Sequence, residues 1–205
     1  MHNRNNRTFS SRSLGHVVRS ELFYLLIAGG IIRVVLAVNR PFFGDEPATL
    51  MLLCLPFSYI LTHFDMWLTM NFFIAFEKII ARFFGDGLLA MRLVPLLADT
   101  GSIAAIYFLS GRIFPRIPRF IAAVLFAANP YMIEFSATAR VYSLFVFLVL
   151  LALLSFFRWH ERPSGRTRWI FGTVCCAMVL VHLGGGYAGG CGGAYDLCRY
   201  CGLRL

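Results

Sequence analysis

At 205 residues, 59% of them hydrophobic and only 14% charged, the chain departs from a soluble domain, where roughly a quarter of the residues are charged. Its mean hydropathy of +0.71 and its 21 Phe residues exclude a disordered chain, an ordinary cytosolic enzyme and a small disulfide-stapled module. The net charge of +9 sits in short runs between apolar stretches, so it marks the orientation of membrane segments and not a nucleic-acid-binding surface.

A hydrocarbon core about 30 Å thick takes roughly 17 to 25 apolar helical residues to cross. A basic tail, residues 1–20, comes first, with Arg4, Arg7, Arg12 and Arg19. Spans are expected at residues 21–38, interrupted only by Arg33; at 88–110, with Arg92 and Asp99 inside; and at 120–133, between Pro118 and Asn129-Pro130. Two more are expected at 141–157 and 169–183. No small-residue cleavage site follows the first apolar stretch, which argues against a signal peptide there. The stretch 64–84 is aromatic-rich yet carries Asp65, Glu77, Lys78 and Arg82. If it crossed, Arg112, Arg116 and Arg119, together with Arg158, Arg162, Arg166 and Arg168, would lie opposite the basic tail. The positive-inside rule therefore lays it along the outer face as an interfacial or re-entrant helix.

The expected fold is all-α: a polytopic membrane protein with about five transmembrane helices, plus interfacial helices in a first outer loop at 39–87. The amino terminus and the arginine loops face the cytoplasm and its anionic lipid. The first outer loop holds five of the ten acidic residues, and a second, at 134–140, is short. Any chemistry is thus expected on the outer face of a plasma membrane, here a bacterial inner membrane.

Three constellations carry polar chemistry. In Gly44-Asp45-Glu46-Pro47 the glycine turns the chain and two acids sit where a helix can begin. They serve either as an acidic helix cap or as a general base or metal ligand at the membrane–water boundary. His63 and Asp65, two residues apart, suit a divalent metal or a phosphate, or a polar boundary of an apolar helix. Arg140, two residues before Tyr142, either snorkels to the headgroups or clamps a phosphate with its paired donors. Arg92 and Asp99, seven residues apart, share a helix face, so they are either functional or neutralise one another, and Arg33 belongs to the same question.

In their order along the chain these landmarks resemble the amino-terminal part of the GT-C-fold membrane glycosyltransferases that use polyprenyl-phosphate sugars, the protein O-mannosyltransferases and the lipid A aminoarabinose transferases among them. The acidic pair is Asp45-Glu46. A His-Pro-Pro-Leu-Tyr-like segment reads His63-Phe64-Asp65-Met66-Trp67, without the prolines. Gly85 and Arg92-Leu93-Val94-Pro95 match a glycine followed by an Arg-Leu pair. Asn129-Pro130 is followed by Ser136-Ala137-Thr138-Ala139-Arg140-Val141-Tyr142-Ser143-Leu144, the most specific of the four. The resemblance spans residues 21–182. It implies an inverting transfer of a sugar from a polyprenyl-phosphate donor to a hydroxyl of a protein or glycolipid, with polyprenyl phosphate leaving. It carries the catalytic base to Asp45, with Glu46 beside it. Arg140, Arg92 and His63 are the nominated partners of the donor phosphate, and a divalent metal is an alternative acceptor of its charge. Tyr142 and Asp65 accompany them.

After His182 the composition changes. Residues 184–205 hold 8 of the 18 glycines and three of the six cysteines. They read as a shifted frame, so the chain is expected to be an amino-terminal portion, 21–183, of a longer enzyme and inactive alone. A zinc site at Cys191, Cys198 and Cys201 is the weaker alternative, lacking the second Cys pair that a structural zinc prefers. The rival from another class is a non-catalytic membrane protein, a transporter fragment or a lipid-binding subunit. A transporter favours midplane ionisable residues and an internal repeat, whereas no repeat is visible and half the acids lie in one loop.

Overall fold

Residues 6–42, 44, 46–62, 70–85 and 87–182 are described by the computed structural model. Ten helices and no strand are present among them, the all-α architecture expected from the sequence. The glycine- and cysteine-rich tail at 184–205 lies outside the described residues.

The central element is α6 (Leu93–Ser110), which packs against α1 (Asn6–Asn39), α7 (Arg116–Ala127), α8 (Pro130–Ser136) and α9 (Tyr142–Glu161). Lipid tails are as apolar as Leu, so close backbone approach has to come from small side chains. Gly101 of α6 supplies one such approach: a Cβ there would stand 2.9 Å from the Phe147 ring of α9. Gly29 of α1 supplies another, where a Cβ would come within 2.7 Å of the Ile103 side chain. The last long helix, α10 (Gly165–His182), folds back on α9. Its start is fixed by a reciprocal cap, in which the Thr167 amide donates to Ser164 Oγ (3.2 Å) and the Ser164 amide to Thr167 Oγ1 (3.1 Å). Trp159 and Phe171 stack at 5.8 Å and close the hairpin.

Among the described residues, three helices are long and apolar enough to cross a membrane: Ser20–Asn39, Leu93–Ser110 and Tyr142–Glu161. Two of the five expected spans do not meet that standard. The expected span at 120–133 is broken by Asn129-Pro130 into α7 and α8. Pro130 cannot continue α7, and Asn129 Oδ1 instead accepts from the Tyr131 and Met132 amides to start a new helix. The expected span at 169–183 belongs to α10, whose first turn contains Arg166 and Arg168.

The loop between α1 and α6 folds into four shorter helices: α2 (Glu46–Cys54), α3 (Phe57–Thr62), α4 (Asn71–Phe84) and α5 (Leu88–Met91). The fourteen residues of α4 extend about 21 Å, short of a hydrocarbon core. One face of α4, with Phe73, Ile74 and Ala75, joins Leu52, Leu55 and Ile60 of the α2–α3 segment in a core that also takes in Val94 of α6 and Val141. Phe72, Phe76, Ile79 and Phe83 remain exposed on a common stripe at helical spacing, the pattern of a helix lying in the membrane interface. Lys78 fixes its position by donating to the carbonyls of Leu53 (2.8 Å) and Leu55 at the end of α2. Glu77 is buried, and neither of its carboxylate oxygens has a hydrogen-bond partner among the described residues. Burial pushes its pKa up to about 9, because a charged carboxylate there would lose its hydration without compensation.

Two buried ion pairs organise the bundle, and they are not the pair the sequence spacing pointed to. Arg92 does not meet Asp99. Asp99 is bound by Arg33 of α1, both side chains fully buried. Arg33 Nη1 also donates to the carbonyls of Gly29 (3.1 Å) and Ala127 (3.2 Å), so one guanidinium ties α1 to α6 and to the end of α7. Seven residues do put Arg92 and Asp99 on one face. They also separate them by about 10 Å along the axis, and each reaches a different neighbour.

Two outcomes follow. Asp99→Asn leaves a buried cation unpaired and is expected to lower stability by about 3–5 kcal/mol, read as a fall in the thermal midpoint in detergent; an unchanged midpoint would mean Arg33 is neutralised elsewhere. For Glu77, the folded-state pKa lies above the unfolded value, so its contribution is present at low pH and is lost as pH rises from the ordinary carboxylate range toward about 9. The thermal midpoint should therefore decline between pH 5 and 9 in the parent protein and less steeply in Glu77→Gln; equal slopes would place the titration on another group.

Candidate functional site

At the end of the bundle where α1 finishes and α6 begins, three chain segments meet around Arg92. The α5–α6 run breaks at this residue, which has φ −97° and ψ 0°, and its side chain is fully buried. Nε and Nη2 donate to the two carboxylate oxygens of Glu46, at 2.9 and 2.8 Å, in a bidentate fork. Nη1 donates to the carbonyls of Ala37 (2.7 Å) and Arg40 (2.8 Å), and Nη2 also to that of Pro41 (3.2 Å). All five N–H donors of the guanidinium are thus used within the chain, and the Phe42 ring lies 5.9 Å from its central carbon.

Glu46 is the other half of the junction. It is the first residue of α2, and Oε1 accepts the backbone N–H of Ala139 (2.8 Å) as well as Arg92 Nε. Gly44 makes this possible from the sequence side: its φ of +61° is in the left-handed region that favours glycine. The turn there delivers Glu46 back under the end of α1.

The segment between α8 and α9 completes the arrangement. Ala137 and Ala139 are buried there, Ala137 against Ala37 and Leu96. Arg40 Nη2 pairs with Glu134 at 2.9 Å and its Nη1 reaches Thr138 Oγ1 at 3.4 Å, so the two loops are joined a second time nearer the surface. Arg140 follows Ala139 directly and is half-buried, its amide donating to the Thr138 carbonyl (2.7 Å). Tyr142 opens α9, is exposed, and has its ring 5.1 Å from that of Phe135.

The structure therefore brings three of the expected landmarks to one place: Glu46, Arg92 and the Ala139-Arg140 stretch. Asp45, His63 and Asp65 lie outside the described residues. Arg92, nominated from the sequence as a phosphate ligand, has its whole donor set on Glu46 and the end of α1 and fixes the geometry of the junction. Sequence reasoning missed the Glu46–Arg92 pair because 46 residues separate its partners. The signal available was their shared character, one acid and one base flanking apolar helices at the same end. Among the described residues no group of three or more His, Cys, Asp or Glu could hold a metal ion.

Because five directed donors and not charge alone hold the junction, Arg92→Lys should fail to replace Arg92. Thermal unfolding and limited proteolysis should find it nearly as destabilised as Arg92→Met, by about 3–5 kcal/mol. Recovery to parent stability with Lys would reduce the junction to a simple charge pair.

A model of the dolichyl-phosphate-mannose-protein mannosyltransferase family matches residues 71–185. No curated protein and no solved structure matches the chain. The matched range contains Arg92, Asp99, Arg140 and Tyr142 and begins after the Gly44–Glu46 turn and after His63 and Asp65. With more than half of its 205 residues inside that match and an all-α membrane fold, the chain belongs to the dolichyl-phosphate-mannose-protein mannosyltransferase family of membrane glycosyltransferases.

Proposed function

We propose that this site serves the transfer of a sugar from a polyprenyl-phosphate donor to an acceptor hydroxyl, with inversion at the anomeric carbon. The observation that carries the reading is the junction of Glu46, Arg92 and Ala139, which holds Glu46 against the residue before Arg140. In this reading Asp45, the sequence neighbour of Glu46, takes the proton of the acceptor hydroxyl as the new bond from oxygen to the anomeric carbon forms. The bond from that carbon to the phosphate oxygen breaks, and polyprenyl phosphate leaves with the electron pair. A carboxylate base contributes most when its position is fixed before reaction, and the buried Glu46 fork provides such an anchor one residue away. Arg140 is proposed to meet the phosphate, with His63 and Asp65 as further polar groups of the donor site and Tyr142 beside it. A divalent metal would be an alternative way to neutralise the leaving group.

The positive-inside pattern supports placing this end outside and the Arg112–Arg119 and Arg158–Arg168 ends inside, in a bacterial inner membrane. The acceptor is proposed to be a hydroxyl of a protein, in keeping with the family, or of a glycolipid. The rival reading, a non-catalytic membrane protein, predicts no effect of Asp45 on any transfer.

The deciding experiment measures transfer of labelled sugar from a polyprenyl-phosphate donor in membranes containing a full-length enzyme that includes this chain. Asp45→Asn is expected to reduce the rate by about 10²–10⁴-fold, with membrane insertion and abundance unchanged. A parent-like rate would overturn the assignment of the base.

A further inference from the structure

The opposite end of the bundle contains a cleft that glycosyl transfer leaves without a role. It opens between α6, α7, α9 and α10 and has a volume of about 820 Å³, within the roughly 300–1,000 Å³ of small-ligand clefts. Its wall is apolar, formed by Phe108, Leu151, Leu154 and Ile170, while Arg112, Arg119, Arg158 and Arg166 converge on it from four separate segments.

These four cations are only partly compensated. Arg112 is paired with Glu161. The guanidinium of Arg119 lies over the Tyr107 ring, 4.4 Å from its centroid, and its buried Nε has no hydrogen-bond partner among the described residues. The side chains of Arg158 and Arg166 make no ion pair or hydrogen bond among the described residues. Glu21, the other acid at this end, is held by Arg116. Arg158 and Arg166 thus face the cleft with no carboxylate partner among the described residues, and Arg119, which shares the field of the Arg116-bound Glu21, adds a third guanidinium to the rim. Such a rim favours an oxyanion, because the guanidinium fork matches phosphate oxygens and remains charged when partly dehydrated. The wall below it favours a hydrocarbon chain. Only an amphiphile satisfies both.

We propose that this cleft binds an anionic glycerophospholipid of the surrounding membrane. Its phosphodiester lies among Arg119, Arg158 and Arg166, and an acyl chain runs along Phe108, Leu151, Leu154 and Ile170. A zwitterionic lipid brings the same phosphate but adds an ammonium to an already cationic rim, so it binds less well. The assignment depends on the fold alone and is independent of the chemistry at Glu46 and Arg92.

The test places the full chain in nanodiscs of phosphatidylcholine containing increasing phosphatidylglycerol and counts retained lipid by native mass spectrometry. The parent protein should retain phosphatidylglycerol in preference to phosphatidylcholine. The double variant Arg158→Gln/Arg166→Gln should lose that preference by about ten-fold or more for each arginine removed, the loss of a charge-assisted hydrogen bond to the phosphodiester. Arg162→Gln/Arg168→Gln takes the same charge from the same end outside the cleft and should leave the preference intact. Equal retention of the two lipids by the parent, or equal loss in both double variants, would overturn the site in favour of diffuse surface charge. Inorganic phosphate at millimolar concentration should not displace the lipid. Displacement would assign the arginines to a free anion and overturn the lipid proposal.

Discussion

Arg92 has five N–H groups, and in this fold all five are answered by the chain itself: two by Glu46, three by the carbonyls of Ala37, Arg40 and Pro41. A guanidinium buried without partners would be strongly unfavourable, so its burial requires the end of α1, the start of α2 and the start of α6 to meet in one geometry. Glu46 then extends the constraint to a fourth segment through the amide of Ala139. The apolar core of the first-loop helices meets the bundle at Val94 and Val141, both within two residues of members of the same junction, and also at Val181 of α10.

The bundle is chemically polarised along its length. At one end acids, carbonyls and hydroxyls surround buried arginines, and every described donor of Arg92 is matched. At the other, arginines outnumber their partners, and Glu21 and Glu161 are already engaged by Arg116 and Arg112. Between the two, α6 supplies a surface of small residues on which α1 and α9 lie closely enough for Gly29 and Gly101 to leave no room for a Cβ without displacement. Such packing resists small displacements, so the two ends of the bundle are held in a fixed relation.

Much of this was legible in the residues. The apolar runs with Arg33, with Arg92 and Asp99, and at 141–157 identified the helices that meet the length and composition of a span. The charges of 64–84 argued against a span there, and α4, at fourteen residues, is shorter than a span needs. Other features needed three dimensions. Asn129-Pro130 was visible as a boundary, but not that it starts a separate capped helix. The residues Arg33, Arg92 and Asp99 were recognised as out of place in apolar helices, yet spacing along one helix says nothing about a partner on another. The heptad separation of Arg92 and Asp99 pointed to the wrong pairing, and the true partners, Glu46 and Arg33, come from elements 46 and 66 residues away. Glu77 carried no signal at all: an acid among charged neighbours reads as solvated until the fold buries it.

The Arg33–Asp99 pair has a consequence for how the protein is made. Arg33 leaves the ribosome 66 residues before Asp99, an interval of roughly 3–13 s at ordinary synthesis rates of about 5–20 residues per second. Throughout it α1 carries a cation whose transfer to the middle of a bilayer is unfavourable by about 2.5–3.5 kcal/mol on insertion scales. The apolar residues of Ser20–Asn39 have to outweigh that penalty unaided, or the helix has to remain in a proteinaceous channel until α6 arrives. On either route the pairing comes last: the cation of the first helix waits for a counter-charge that is translated later.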